Sequence, residues 1–360
     1  MSTNRSEIKF IRPCLKINED KKNLTPEYTF ECLKDKKIVQ INLDNCALQR
    51  MEMLSSNSTL IDVERVGLMP LVELLQTGEV CMTAIGVNEM PDKWVERAMA
   101  AYNNFCNIFW PGHSDDPEAT YRDYIPDSNS KQVIFQDLNA KSRTVYGLHY
   151  IPMLQIQNIN LNYSGLTPEK KFETYLYSII NFIDIISAYD LEIAKYAFWD
   201  IDANTINRLP ANIHNRRKNI KNNFHKNGNS LKKCCTNAFD AAMDLHWLTG
   251  ANLSEDMGST INIKGQRLIT EHWVGTTDHK LYNITQDIHH IYHEGSTMKA
   301  LLSTREDELM QFNYWKNVDH IANSILSYRK NKNNIIAQNM TERVDLAIEL
   351  IEKDLAEYFS

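Results

Sequence analysis

Several things are scarce in this 360-residue chain, and each absence excludes something. There is no apolar run near the roughly 20 residues of a membrane span; the richest stretch, Ile179 to Ile186, is broken by Asn181 and Asp184. Met1 to Asp20 is polar and charged, without the apolar core of a secretory signal. No GxGxxG and no phosphate-binding P-loop occurs, so nucleotide-cofactor chemistry has no sequence support. No nucleophile-elbow motif appears. The seven cysteines include no CxxC pair and number an odd count, which reads as reduced thiols and predicts a cytoplasmic protein. Internal repeats and low-complexity tracts are also missing.

What is present is ordinary globular material: 43% hydrophobic and 24% charged residues, with a net charge of -7. An acidic body argues against a surface that coats nucleic acid as a whole, but allows one basic patch. The length sets a prior of about two domains, or one with a large insertion.

Along the chain, residues 1–37 read as a basic leader of weak structure. Lys37 to Asp44 is short and β-branched, which predicts a strand, followed by a helix from Cys46 to about Leu54. Residues 59–77 have helical spacing, with Pro70 predicting a kink or two helices and Gly78 a stop. A second strand is predicted at 80–85, then a helix over 91–109. Residues 110–150 read as a long loop or small subdomain with a weak strand at 132–135. One long helix is predicted from a Thr167 cap to about Ala197. Between Asp202 and Asp240 there is no acid at all, while Arg216, Arg217, Lys218, Lys221, Lys226, Lys232 and Lys233 make a basic segment within 208–233. A helix is expected at 237–249, a polar connection at 250–270, a third strand at 271–277, and helices at 284–302, 305–329 and 341–358. Strands alternating with helices predict an α/β fold with a parallel sheet of about four or five strands.

Three acids follow the three strands: Asp44, Glu89 in Thr83-Ala-Ile-Gly-Val-Asn-Glu89, and Asp278 in Thr276-Thr-Asp278. Functional groups of open parallel sheets collect beyond the carboxyl ends of strands. A fourth acid comes from Asn237-Ala-Phe-Asp240-Ala-Ala-Met-Asp244, where Asp240 and Asp244 lie one turn apart.

In order and context these acids resemble the PIN-domain nucleases. Asp44-Asn-Cys-Ala-Leu48 is similar to that family's opening motif, with its Asn shifted by one, and Thr276-Thr-Asp278-His-Lys-Leu281 to its closing one. Asp240 precedes Asp278 by 38 positions, a longer spacing than the family's, and Asp244 is the alternative third acid. The resemblance implies a PIN-like nuclease core at 38–110 and 236–300, a mainly helical insertion at 111–235, and C-terminal helices at 301–360. It implies a Mg²⁺- or Mn²⁺-dependent endoribonuclease, with RNA preferred over DNA, of the kind found among bacterial toxins and defence effectors. Its implied metal ligands are Asp44, Glu89, Asp240 or Asp244, and Asp278, with Thr276 holding a carboxylate or the attacking water. A homo-oligomer and an inhibitor protein are compatible partners; a membrane is not.

The chemistry suits the residues. Phosphodiester hydrolysis builds charge that hard cations neutralise, such cations favour carboxylate oxygens, and crowded carboxylates repel one another without one. Taken singly, each acid has a plainer reading as a helix cap or turn former. The basic segment reads equally as a substrate groove beside the carboxylates or as a solvated loop. His289, His290 and His293 are expected to be surface histidines, and Asp200-Ile-Asp202 a helix-ending turn. The aromatics between Tyr175 and Trp199 are expected in a core or interface. The rival class is a non-catalytic nucleic-acid-binding or scaffold protein on a degenerate α/β core.

Overall fold

The computed structural model describes residues 6–16, 23–90, 92–112, 134–256, 258–263, 265–285, 288–292, 299–303, 308–330 and 339–360. The chain divides into two compact units, residues 1–133 with 247–300, and residues 134–246 with 301–360.

The first unit opens with β1 (Lys9–Ile11), β2 (Cys14–Lys16) and α1 (Pro26–Lys34), whose Thr25 side chain caps the Tyr28 N–H. Residues 1–37 are therefore no bare leader: β1 joins the main sheet and α1 packs on it. Next come β3 (Lys37–Leu43), α2 (Asn45–Met51), α3 (Leu60–Val66) and α4 (Met69–Leu75). The predicted break near Pro70 falls at Gly67, whose φ of 81° suits glycine. Then follow β4 (Val80–Thr83), a 3₁₀ turn over Ile85–Glu89, and α5 (Asp92–Phe109).

The second unit is helical: α6 (Ala140–Asn162), α7 (Pro168–Phe182), α8 (Ala188–Phe198), α9 (Ala203–Arg208), α10 (Ala211–Asn223) and α11 (Leu231–Asp256), the last running on into the first unit's residues from Trp247. The loop expected to extend to residue 150 thus ends at Asn139, which caps α6. The expected strand at 132–135 becomes a 3₁₀ turn at Phe135–Asp137, and residues 132 and 133 lie outside the described set. The single helix expected from 167 to 197 is two. Asp184 takes φ of 53°, and the Ser187 side chain caps a new helix by accepting the Asp190 N–H, so local polar chemistry overrides continuous periodicity.

The chain returns through β5 (Thr260–Ile263) and β6 (Gln266–Thr276), a hairpin where a polar connection was expected. It continues with α12 (His279–Ile284), β7 (Ile288–Tyr292), β8 (Lys299–Ser303), α13 (Asn313–Lys330) and α14 (Met340–Phe359). The helix expected at 284–302 is thus replaced largely by strands, with β7 pairing parallel to β2. Ile288, Ile291 and Tyr292 suit a strand as well as a helix, and short apolar runs do not separate the two. His289 and His290 lie on β7, and His293 lies outside the described residues.

The main sheet runs β1-β6-β3-β4, with β5 on β6. β3 is parallel to both β4 and β6, while β1 and β5 are antiparallel to β6, so the sheet is mixed where an all-parallel one was expected. Val39, Ile41 and Leu43 are wholly buried and share one core with Trp273, Met82 and the inner faces of α2 to α5. That is the residue pattern of a central strand covered on its faces.

In the second unit all eleven residues of α8 are buried, including Asp190, Glu192 and Lys195. Each is paired: His149 Nδ1 lies 3.0 Å from Asp190, and Lys195 Nζ lies 2.8 Å from Glu192 and 2.9 Å from Asp319. Tyr175, Phe198 and Trp199 are buried here, as expected of a core, although Tyr177 is half exposed. α14 packs along α6 through Val344, Ala347, Ile348, Ile351 and Leu355, a 3–4 spacing on one face. The C-terminal helices α13 and α14 therefore belong with the helical segment 134–246. No described helix is long and apolar enough to cross a membrane.

Candidate functional site

β3 and β6 are neighbours in register, with Leu43 opposite Gly275, so their carboxyl ends emerge side by side. The residue following β3 is Asp44, and β6 ends at Thr276, two residues before Asp278. Asp44 is 6% exposed and Thr276 is wholly buried. The Thr276 hydroxyl donates to Asp44 Oδ2 and accepts the Asp278 N–H at 2.9 Å. One hydroxyl thus locks two acids, from opposite ends of the sequence, into one polar cluster.

Both acids also end a strand and start a helix. Asp44 Oδ1 accepts the Ala47 N–H at 2.8 Å, capping α2. Asp278 Oδ1 accepts the Lys280 and Leu281 N–H groups at 2.7 and 3.2 Å, capping α12. The capping reading of each is therefore correct in itself, and it leaves Asp278 Oδ2 with no hydrogen bond among the described residues. Burial pushes the Asp44 carboxyl from the ordinary 3.8 up to about 7. Hydrogen bonds from Thr276 and Ala47 oppose that rise, and the charge of Asp278 adds to it.

Gly86 lies against the backbone of Asp44 and Asn45. A Cβ there would meet Asn45 N and the Asp44 carbonyl carbon at 2.4 Å, so only glycine lets the turn after β4 lie against the Asp44 backbone. That turn, Ile85–Glu89, brings the Glu89 backbone to the same edge; the Glu89 side chain lies outside the described residues.

Asp278 lines an open depression of about 550 Å³ together with Ser6, Cys46, Gln49, Arg50, Thr277, His279 and Lys280, and the buried Asp44 is not part of its lining. Arg50 and Lys280 give it positive charge on an otherwise acidic protein. Neither was singled out from the sequence. The available signal was position: Arg50 follows Asp44 by six residues and Lys280 follows Asp278 by two, so each is carried on the helix that its acid caps.

Asp240 and Asp244 stand differently. They belong to the helical unit, where α11 begins at Leu231, after the Ser230 hydroxyl accepts the Lys233 N–H. Asp240 therefore sits well inside a long helix and does not open one, as the resemblance required. It is exposed, and Asp244 is half buried one turn later. Among the described residues no group of three or more His, Cys, Asp or Glu side chains is arranged to hold a metal ion.

The basic segment is mostly helix. Arg216 and Arg217 are each 7% exposed on α10, so they are no part of a solvated loop, whereas Lys218, Lys226, Lys232 and Lys233 are exposed and Lys221 is half buried. Asp202 caps α9 through the Thr205 N–H at 3.0 Å, as a turn residue would.

Two carboxylates and a hydroxyl next to a basic depression can hold a hard cation through their remaining lone pairs, or act as paired helix caps alone. A Mg²⁺ ion is commonly held by one or two carboxylates plus substrate phosphates and water, so this donor set fits such an ion. Comparison with protein-family models, with curated proteins and with solved structures finds no match for this chain.

Proposed function

We propose that the chain is a divalent-metal-dependent nuclease hydrolysing phosphodiester bonds in RNA, with DNA as the alternative substrate. The observation that supports it most is the meeting of Asp44, Thr276 and Asp278 at adjoining parallel strand ends beside the Arg50 and Lys280 depression. Asp44 and Asp278 would hold Mg²⁺ or Mn²⁺, with Glu89 as the third ligand that the sequence order suggests. Such a cation, when bound, neutralises charge on the phosphoryl oxygens and lowers the pKa of bound water.

The chain's own residues do the rest. Thr276 orients the Asp44 carboxylate by donating to it and tethers the Asp278 backbone by accepting its N–H. Arg50 and Lys280 attract the phosphate backbone, a contribution that weakens with salt. Gly86 lets the turn after β4 pack against the Asp44 backbone.

A second reading has its own support: both acids cap helices, which accounts for them without catalysis, and this favours a non-catalytic nucleic-acid-binding or scaffold protein. Cleavage of a generic single-stranded RNA in Mn²⁺ separates the two. Under the nuclease reading, EDTA, Asp44→Asn and Asp278→Asn each abolish cleavage while circular dichroism shows an intact fold. RNA bound but not cut by the wild-type protein in Mn²⁺ selects the second reading.

A further inference from the structure

The helical unit contains a group of cations that neither proposed function uses. On α10, Arg217 and Lys221 are four residues apart and share a face, and His225 follows just past the helix end. The Arg217 guanidinium lies 5.7 Å from the centre of the Trp199 ring and donates from Nη2 to the Trp199 carbonyl at 3.2 Å. Its Nε is buried and has no acceptor. On another element, the Asn160 amide lies 3.2 Å from His225 Nε2.

Among the described residues, none of Arg217, Lys221, His225 and Lys171 forms an ion pair with an acid. Among the described residues, the carboxylate whose charge acts on Arg217 and Lys221 is the exposed Asp200. Burial lowers the pKa of both. His225 falls to about 4, through burial first and then through the charges of Lys221, Lys171 and Arg217. The charge of Lys171, on α7, also reaches His225. A buried guanidinium without a carboxylate partner is costly and is rarely kept without compensation.

We propose that Arg217, Lys221 and His225 form an oxyanion site in the helical unit that takes a phosphate group. A phosphate offers several acceptor oxygens in a tetrahedral array. The guanidinium supplies a fixed fork and an unused Nε–H, the ammonium a compact point charge, and the imidazole one further N–H. The Trp199 face holds the guanidinium in place, so the site is ordered before the anion arrives. Lys171 adds charge from α7. The phosphate belongs either to a small free phosphate or to a polynucleotide backbone; the donors required are the same. The proposal does not rest on the nuclease reading, and it is tested without turnover.

The full-length protein is titrated in EDTA with inorganic phosphate against chloride at equal ionic strength, following calorimetry and the His225 ring resonances. Phosphate binds and shifts those resonances, whereas chloride does not. Lys221→Gln weakens binding by about tenfold, the scale of one charge-assisted contact, and His225→Gln weakens it by several fold. Lys218→Gln, exposed on the same helix, leaves it unchanged. A single-stranded oligonucleotide that binds more tightly than phosphate, with the gain lost in Lys221→Gln, assigns the site to polynucleotide; no such gain assigns it to a small phosphate, and either result supports the site. Equal effects of phosphate and chloride overturn it, as does equal weakening by Lys218→Gln and Lys221→Gln in variants of unchanged circular dichroism.

Discussion

Replacing Asp44 by asparagine should stabilise this protein, and more so as the pH rises. The Asp44 carboxyl ionises near 3.8 in an unfolded chain and at about 7 in the fold. A shift of about 3 units corresponds to roughly 4 kcal/mol. Because the folded value is the raised one, the fold favours the protonated acid. That contribution is complete below about pH 4 and is lost as pH climbs to 7; above 7 both states are ionised and the buried charge weighs fully on the fold. The asparagine side chain of Asp44→Asn carries no charge at any pH. Its amide oxygen still accepts the Ala47 N–H, and asparagine caps a helix about as well as aspartate. Its amide nitrogen donates to the Thr276 hydroxyl, which has lone pairs for that and for the Asp278 N–H. The Thr276 O–H then loses its acceptor, at about 1 kcal/mol. The net expectation in EDTA is a gain of about 3 kcal/mol at pH 8, shrinking to about 1 kcal/mol at pH 5, by integrating the same linkage. Urea unfolding of both proteins at the two pH values measures it. Saturating Mn²⁺, at about 100 times its dissociation constant, should restore about 3 kcal/mol to the wild-type protein alone. If Asp44→Asn is no more stable than wild type at pH 8 in EDTA, the carboxylate is not buried at a cost, and the reasoning fails.

Further expectations follow from the same contacts. Thr276→Val removes the hydroxyl that joins Asp44 to Asp278; unfolding free energy should drop by about 2 kcal/mol, and a change below a few tenths would show that the hydroxyl does not bridge them. Gly86→Ala forces a Cβ into the Asp44–Asn45 backbone; a loss of about 1–3 kcal/mol is expected by denaturant titration, together with lost Mn²⁺ affinity. Arg12 joins Glu255 and buried Glu271, with Nε 3.4 Å from Glu271 Oε1; Arg12→Leu leaves buried acids without their cation and should cost about 3–5 kcal/mol. Mn²⁺ affinity itself should fall as pH drops below about 7, where Asp44 takes up a proton that competes with the ion; a titration flat from pH 5 to 8 would separate Asp44 from the metal.

The sequence by itself determined the local elements and the strand-end acids. β3, β4 and the end of β6 were legible because short β-branched runs end at turn residues, and α5 and α14 because one face repeats at helical spacing. Asp44 and Asp278 were legible for the same reason: each closes a strand. Tertiary structure alone decided the rest. Whether β1 and β5 run against β6, and whether Ile288 to Tyr292 is strand or helix, depends on partners far away in the chain. The long α6 was hidden because Ser142 to Ile159 is buried nearly all round, so no polar face marks its period. The same holds for the cations of α10. A run of Lys, Arg and Asn looks solvated until packing against Trp199 removes Arg217 from water. Sequence spacing fixes which residues share an element, but burial, and with it charge state and chemistry, is set only when distant elements close over them.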